Sequence, residues 1–288
     1  MLISAFTPIR NAQIMGYPVV EAIRSILPIV DEYLVGVGQS DDDTRALIES
    51  IGDPRIRILD THWDLGSTTG GFILADKTNE LLDQCRGAWC FYLQADEVVH
   101  ERDLPIIVER CRALRSDARV EGLLFSYLHF YGSYGVVAHA RNWYRNEVRI
   151  VRSGVGIRSI GDAQSFSAPG GKPRVERSGA VIHHYGHVKP PTLMGRKHKL
   201  MARWWSQRPD PAFDDFRFRQ IYGLRRFGGT HPAVMRTLVE AQDWSFEPRL
   251  DPRDWRARDY KNVLSDAAEF VLRHRLGERK KYRLMPGR

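Results

Sequence analysis

The chain has no run of about 18 consecutive apolar residues, so it offers no segment as long as a membrane-spanning helix needs. Its first apolar stretch, residues 2–6, is too short and too soon interrupted to read as a signal peptide. Cysteine is scarce. Cys85, Cys90 and Cys111 are odd in number and lack the spacing of a zinc site or a redox pair. A reduced, cytoplasmic setting is the simplest account of them. The beginning of the chain is also poor in glycine. Residues 7–16 hold one, Gly16, which counts against the Gly-rich phosphate loop of a nucleotidyltransferase. There is no internal repeat and no nucleic-acid-binding motif.

What is present supports a globular enzyme-sized body. A chain of 288 residues with 43% hydrophobic content can bury one large core, or a core with a smaller appendage. Lysine and arginine number 43 against 35 acids, a formal charge of +8. Much of that excess is local, because residues 271–288 carry seven cations against Glu278. Such a tail can touch an anionic membrane or another polyanion, and it can equally be a solvated terminus.

In order along the chain, residues 2–6 read as a strand, 19–29 as a helix with Val20, Ile23, Ile26 and Leu27 at helical spacing, and 33–37 as a strand. A polar loop at 38–44 caps a helix at 45–50, and a short strand follows at 56–59. Residues 62–71 read as a loop and 72–85 as a helix, with Gly87 just past its end. An apolar strand spans 89–93 and another helix 103–114. This β-α alternation predicts an α/β fold with a mostly parallel central sheet covered on both faces. Strands at 122–130, 148–152 and 180–183 have no helix of useful length between them, which predicts antiparallel additions. Residues 131–145 and 154–177 read as polar connections. Pro190-Pro191 marks a boundary at which residues 1–190 give way to a helical extension, 191–288, with helices expected at 192–207, 231–242 and 259–276.

The chemistry gathers where strands end. The strand at 89–93 runs into Gln94-Ala95-Asp96-Glu97, and ligands of open α/β sheets bind outside such carboxyl ends. Two carboxylates there suit a hard cation carrying phosphate, and small Ala95 permits close approach. An acidic loop opening the next helix is the plainer alternative. Residues 7–11 and 39–43 end strands on the same edge, and His183-His184-Tyr185-Gly186-His187 follows a later strand. Neutral imidazole can ligate a divalent metal beside a carboxylate.

Residues 4–11, 38–44, 76–79, 87–97, 161–166 and 184–186, in that order and spacing, make the chain resemble the bacterial family 2 glycosyltransferases of the GT-A fold over about residues 1–190. The resemblance implies an inverting transferase that uses a nucleotide-sugar donor, uridine by default, with Mg2+ or Mn2+, and a carbohydrate or other hydroxyl acceptor. Gln94 stands where the family's Asp-X-Asp motif has its first acid and Asp96 where it has its last. Asp96 and His184 are then the implied metal ligands, and Asp162 the implied catalytic base. Thr7, Arg10, Asn11, Gln39, Asp41, Lys77, Asn79, Gln94 and Ala95 are the implied nucleotide-binding residues. Val37 and Gly38 replace acids that normally read the base, with Gln39 or Asp41 as substitutes. A non-catalytic nucleotide-sugar-binding protein and a nucleotidyltransferase are the competing readings.

Overall fold

The computed structural model describes residues 1–64, 66, 71–205, 215–249, 251–273 and 280–286. Strand β1 (Ile3–Ile9) lies at the centre of its parallel half. Ile3, Ala5, Phe6 and Ile9 are buried, as suits a strand covered on both faces. The chain continues through α1 (Ala12–Met15), α2 (Val19–Ile26), β2 (Glu32–Gly38), α3 (Thr44–Glu49), β3 (Ile56–Thr61), α4 (Phe72–Leu82) and β4 (Trp89–Tyr92). β2 and β4 flank β1 in parallel, and β3 extends beyond β2 in parallel. Helix α2 buries Val19, Ala22, Ile23 and Ile26 on one face of the sheet. Helix α4 places Ala75 and Leu81 in a second core on the other face. The expected α/β alternation is therefore present.

Gly87 is a correction. Helix α4 ends at Leu82 with Asp83 at its C-cap, so Gly87 does not terminate it. A Cβ at Gly87 would lie 2.5 Å from the Ser4 backbone nitrogen. The glycine lets the incoming chain lie against β1, where the Gly87 and Arg86 amides donate to Ser4 Oγ at 2.7 and 3.1 Å.

After β4 come β5 (Glu97–Val99), α5 (Leu104–Ala113), β6 (Gly122–Tyr131), β7 (Ser133–Ala138) and β8 (Asn146–Arg152). β8 is antiparallel to both β4 and β6, and β7 is antiparallel to β6. The stretch 131–145, expected as a connection, thus contains a strand. So does 154–177: it holds the hairpin of β9 (Arg158–Ile160) and β10 (Ser165–Ser167) and the start of β11 (Arg174–His187). β11 is far longer than the strand expected at 180–183, and it pairs parallel to β6 and antiparallel to β5. A bulge with Gly179 at φ +81 interrupts it, which breaks the local pattern.

Beyond the proline pair, α6 (Pro191–Trp205) begins on Pro191, a residue suited to a first helical position. β12 (Leu224–Arg226) pairs with β7, and a 3-10 turn leads into the short α7 (Arg236–Glu240). α8 (Ala257–Leu272) and β13 (Arg283–Leu284), which pairs with β11, follow. The last residues of the helices expected at 192–207 and 259–276 fall outside the described residues, as do 274–279 and 287–288 in the basic tail. Among the described residues no helix is long and apolar enough to cross a membrane.

Candidate active site

The ends of β1, β4 and β11 meet at a cavity of about 470 Å³. Arg10, Gln94, Ala95, Asp96, Asp162 and His184 all line it. Register explains the Asp96–His184 pairing. β5 and β11 align Glu97 with His184, and the Tyr185 amide donates to the Asp96 carbonyl at 2.8 Å. His184 Nε2 then lies 3.7 Å from Asp96 Oδ1.

Hydrogen bonding sets the imidazole's tautomer. His129 Nε2 lies 2.7 Å from the Tyr144 carbonyl, which can only accept, so Nε2 carries the proton. Burial pushes His129 down to about 3, so its Nδ1 is a bare acceptor. That Nδ1 is 3.0 Å from His184 Nδ1, which must donate. Burial also lowers His184 below its ordinary value, leaving it neutral with the Nε2 lone pair turned to Asp96. Burial opposes the Asp96 charge, but the Lys197 ammonium beside Oδ2 favours it, and the carboxyl stays below its ordinary range and ionised. Two lone-pair donors thus face each other with no proton between them. Gly186 keeps their gap open: a Cβ there would lie 2.7 Å from both Asp96 Oδ2 and His184 Nε2. Among the described residues no three His, Cys, Asp or Glu side chains converge as a metal cluster. The pair still fits Mg2+ or Mn2+, which take one or two protein ligands with phosphate and water.

Glu97, expected beside Asp96 as a second acid for a cation, turns inward instead. It is 0% exposed and pairs with the equally buried Arg149 at 2.8 Å, while the Tyr127 hydroxyl donates to it at 2.8 Å. Arg149 also donates to the Gln164 carbonyl at 3.0 Å. A buried charge must be paired, and this pair ties β5 to β8 and to the hairpin turn.

Asp162 sits in that turn, between Gly161 at φ +63 and Ala163 at φ +60. Asn79 clamps the hairpin to α4: its Nδ2 donates to the Ser159 carbonyl at 3.0 Å, and its Oδ1 accepts the Ser159 amide at 2.8 Å. The other implied nucleotide contacts also have protein partners, and Thr7, Asn11, Gln39, Asp41, Lys77 and Asn79 are not on the cavity wall. Thr7 is buried and donates to the Leu93 carbonyl at 2.6 Å, so the Tyr33 hydroxyl must donate to it. Asn11 and Asp41 bond one another, Asn11 accepting the Asp41 amide at 2.7 Å. Gln39 accepts from the Trp63 amide at 3.0 Å, and Lys77 pairs with Glu80 at 2.7 Å. Arg10 reaches both the Gln39 carbonyl and Asp41 while lining the cavity.

Sequence reasoning missed several wall residues. Lys197 of α6 donates to the Gly186 carbonyl at 2.9 Å, lies 3.5 Å from Asp96 Oδ2 and sits over the Tyr17 ring. Lys189 holds the Met15 and Gly16 carbonyls beside the same ring. Lys197, at helical spacing, reads as a solvated charge, and Lys189, behind the wall, precedes the helix, so no local signal marked either one. Trp63 has a signal in Gly38, where a Cβ would fall 2.5 Å from the indole nitrogen. The glycine at the end of β2 makes room for an aromatic wall.

Glu147 supports the cavity from behind. It accepts from Gln164 Nε2 at 2.9 Å, and its other oxygen is buried without a hydrogen-bond partner. Burial pushes its carboxyl up from the ordinary 4.5 to about 7. The folded chain therefore keeps a proton that the unfolded chain has released. Stability should fall as pH rises through that window, by on the order of 3 kcal/mol. Denaturant unfolding across the window tests this, because Glu147→Gln should flatten the slope; an unchanged slope in the variant would assign it to other groups.

No family model and no curated protein matches the chain. Solved structures do. S. aureus TarS 1-349 is 14% identical over 70% of this chain and 64% of its own, with a TM-score of 0.41. The same protein in complex with UDP-GlcNAc is 13% identical over 70% and 66%, also at 0.41. Glucosyl-3-phosphoglycerate synthase from Mycobacterium tuberculosis, in complex with Mn2+, uridine-diphosphate and glucosyl-3-phosphoglycerate, is 20% identical over 45% and 44%, at 0.32. The chain spans less than two thirds of the length of each.

Proposed function

We propose that this chain is a glycosyltransferase that moves a sugar from a nucleoside-diphosphate donor, with uridine the default base, to a hydroxyl acceptor with inversion. The observation that carries the reading is the Asp96–His184 donor pair, held open by Gly186 at the carboxyl end of β4, with Asp162 on the wall of the same cavity. The order of motifs through residues 4–186 supports it independently. A cavity of this size suits a nucleotide-sugar.

Asp96 and His184 would hold Mg2+ or Mn2+, which supplies positive charge to the departing diphosphate. Lys197, against the other Asp96 oxygen, fixes the carboxylate's orientation and adds a second cation at the cavity floor. Arg10 offers its guanidinium to the nucleotide at the rim. Asp162 takes the acceptor's hydroxyl proton as the acceptor oxygen bonds to the anomeric carbon. The carbon–oxygen bond to the diphosphate breaks at the same time, and the nucleotide leaves with the electron pair.

A thermal-shift panel of nucleoside diphosphates and nucleotide-sugars, with and without Mn2+, tests the reading. A ligand at about a hundred times its dissociation constant stabilises by about 2.7 kcal/mol. UDP should shift the melt more with Mn2+ than without, and Mn2+-dependent hydrolysis of the matching nucleotide-sugar should follow. Binding without hydrolysis or transfer would identify a binding protein instead, and no shift with any nucleotide would end the proposal.

A further inference from the structure

His184 is not oriented by its own strand alone. β11 lies between β5 and β6, and the register sets His184 against Glu97 on one side and His129 on the other. Residues paired in register turn their side chains to the same face, so the two imidazoles meet, Nδ1 to Nδ1 at 3.0 Å. Two lone pairs or two N–H groups cannot bond across that distance, so the nitrogens hold one proton between them. His129 uses its own proton elsewhere, because its Nε2 lies 2.7 Å from the Tyr144 carbonyl. The shared proton therefore belongs to His184. Packing keeps His129 from turning. It is buried, its ring stacks on Tyr127, and Tyr144 and Trp143 close around it. The Tyr144 carbonyl is held as well. The Tyr127 amide donates to the Arg145 carbonyl at 3.0 Å, Asn262 of α8 donates to Asn142 at 3.0 Å, and Glu269 of the same helix pairs with Arg145. Helix α8 thus braces the loop on which the imidazole pair depends.

We propose that His129 is a positioning residue for the cation. It fixes the proton of His184 on Nδ1 and so leaves Nε2, 3.7 Å from Asp96, as the ligand nitrogen. An imidazole without such a partner takes either tautomer, and the other one sets an N–H where the cation needs a lone pair. Groups that orient a ligating histidine in this way govern metal affinity without touching the metal. The inference rests on the reading of Asp96 and His184 as the ligands.

Two substitutions separate this role from packing. His129→Phe keeps the ring and its stacking but has no acceptor. His129→Asn loses the ring, yet its side-chain oxygen can stand in for Nδ1. Isothermal titration of UDP with and without Mn2+ should show Mn2+-dependent affinity about 10–100-fold weaker in His129→Phe, and much closer to wild type in His129→Asn. A role in packing alone would reverse that order. Nitrogen-15 NMR of the metal-free, histidine-labelled chain reads the tautomer directly. His184 should be protonated at Nδ1 in the wild type and in His129→Asn, and should lose that signature in His129→Phe. A wild type with His184 protonated at Nε2 would overturn the proposal, and so would a His129→Phe variant that keeps more Mn2+ dependence than His129→Asn. No Mn2+ dependence in the wild type would overturn the cation reading and this role with it. The NMR signature tells that failure from a failure of His129 to set the tautomer.

Discussion

Asp162→Asn should lower sugar transfer by about 10²-fold or more while nucleotide affinity stays nearly unchanged. A hydroxyl is a poor nucleophile at neutral pH, so an inverting displacement needs a placed base. Asp96 and Asp162 are the two carboxylates among the described cavity-lining residues, and Asp96 is engaged by His184 and Lys197. Asparagine keeps the size of Asp162 and removes its basicity. The turn should survive the change: Asp162 Oδ1 accepts the Gln164 amide at 3.4 Å, which an asparagine oxygen can also do, while Asn79 holds Ser159 and Arg149 holds the Gln164 carbonyl. The measurement is kcat at saturating donor with the true acceptor, beside UDP affinity. Near-normal transfer would sink the assignment. Glu97 could not inherit the role, since its carboxylate is sealed against Arg149.

The parallel half of the fold was legible because its signals are local. Residues 89–93 are uniformly apolar because β4 is buried on both faces, and α2 shows its core face as a helical period. The later strands were harder to read. β7 lies inside a stretch that looks polar, and the bulge at Gly179 breaks β11 before its buried end. The hairpin of β9 and β10 has strands too short for any period to show.

In the site, Asp96 and His184 could be matched by resemblance, but what joins them is the register of β5 on β11, a long-range fact. Buried and half-buried polar residues are the hardest to read from the sequence. Thr7, Asn11 and Asn79 look like ligand contacts at strand ends and on a helix, yet each serves a backbone or a loop. Glu97 looks like a second metal acid, yet it neutralises an arginine whose position in the sequence is 52 residues away. Lys197 shows the converse, a residue that reads as solvated and proves to wall the site.

Gly186→Ala should weaken Mn2+-dependent UDP binding by about 10–100-fold without removing any ligand. The added methyl would enter the space between Asp96 Oδ2 and His184 Nε2, 2.7 Å from each. Neither group can retreat freely. His184 is held by His129, and Asp96 by Lys197 and by the Tyr185 amide on its carbonyl. β11 cannot easily carry the methyl away, because Lys197 also grips the Gly186 carbonyl. Gly186 is not among the positive-φ glycines, so alanine meets no backbone strain there and the fold should persist. Asp96→Ala would also lose the metal, but it leaves Lys197 without its carboxylate and so confounds metal loss with an unpaired cation. Isothermal titration of UDP with and without Mn2+ separates the two effects. The alanine variant should bind UDP weakly and equally in both, with a melting temperature lowered by the added methyl's crowding but a cooperative transition that shows the fold intact. A variant that keeps the wild-type Mn2+ dependence would show that the gap between Asp96 and His184 is not where the cation sits.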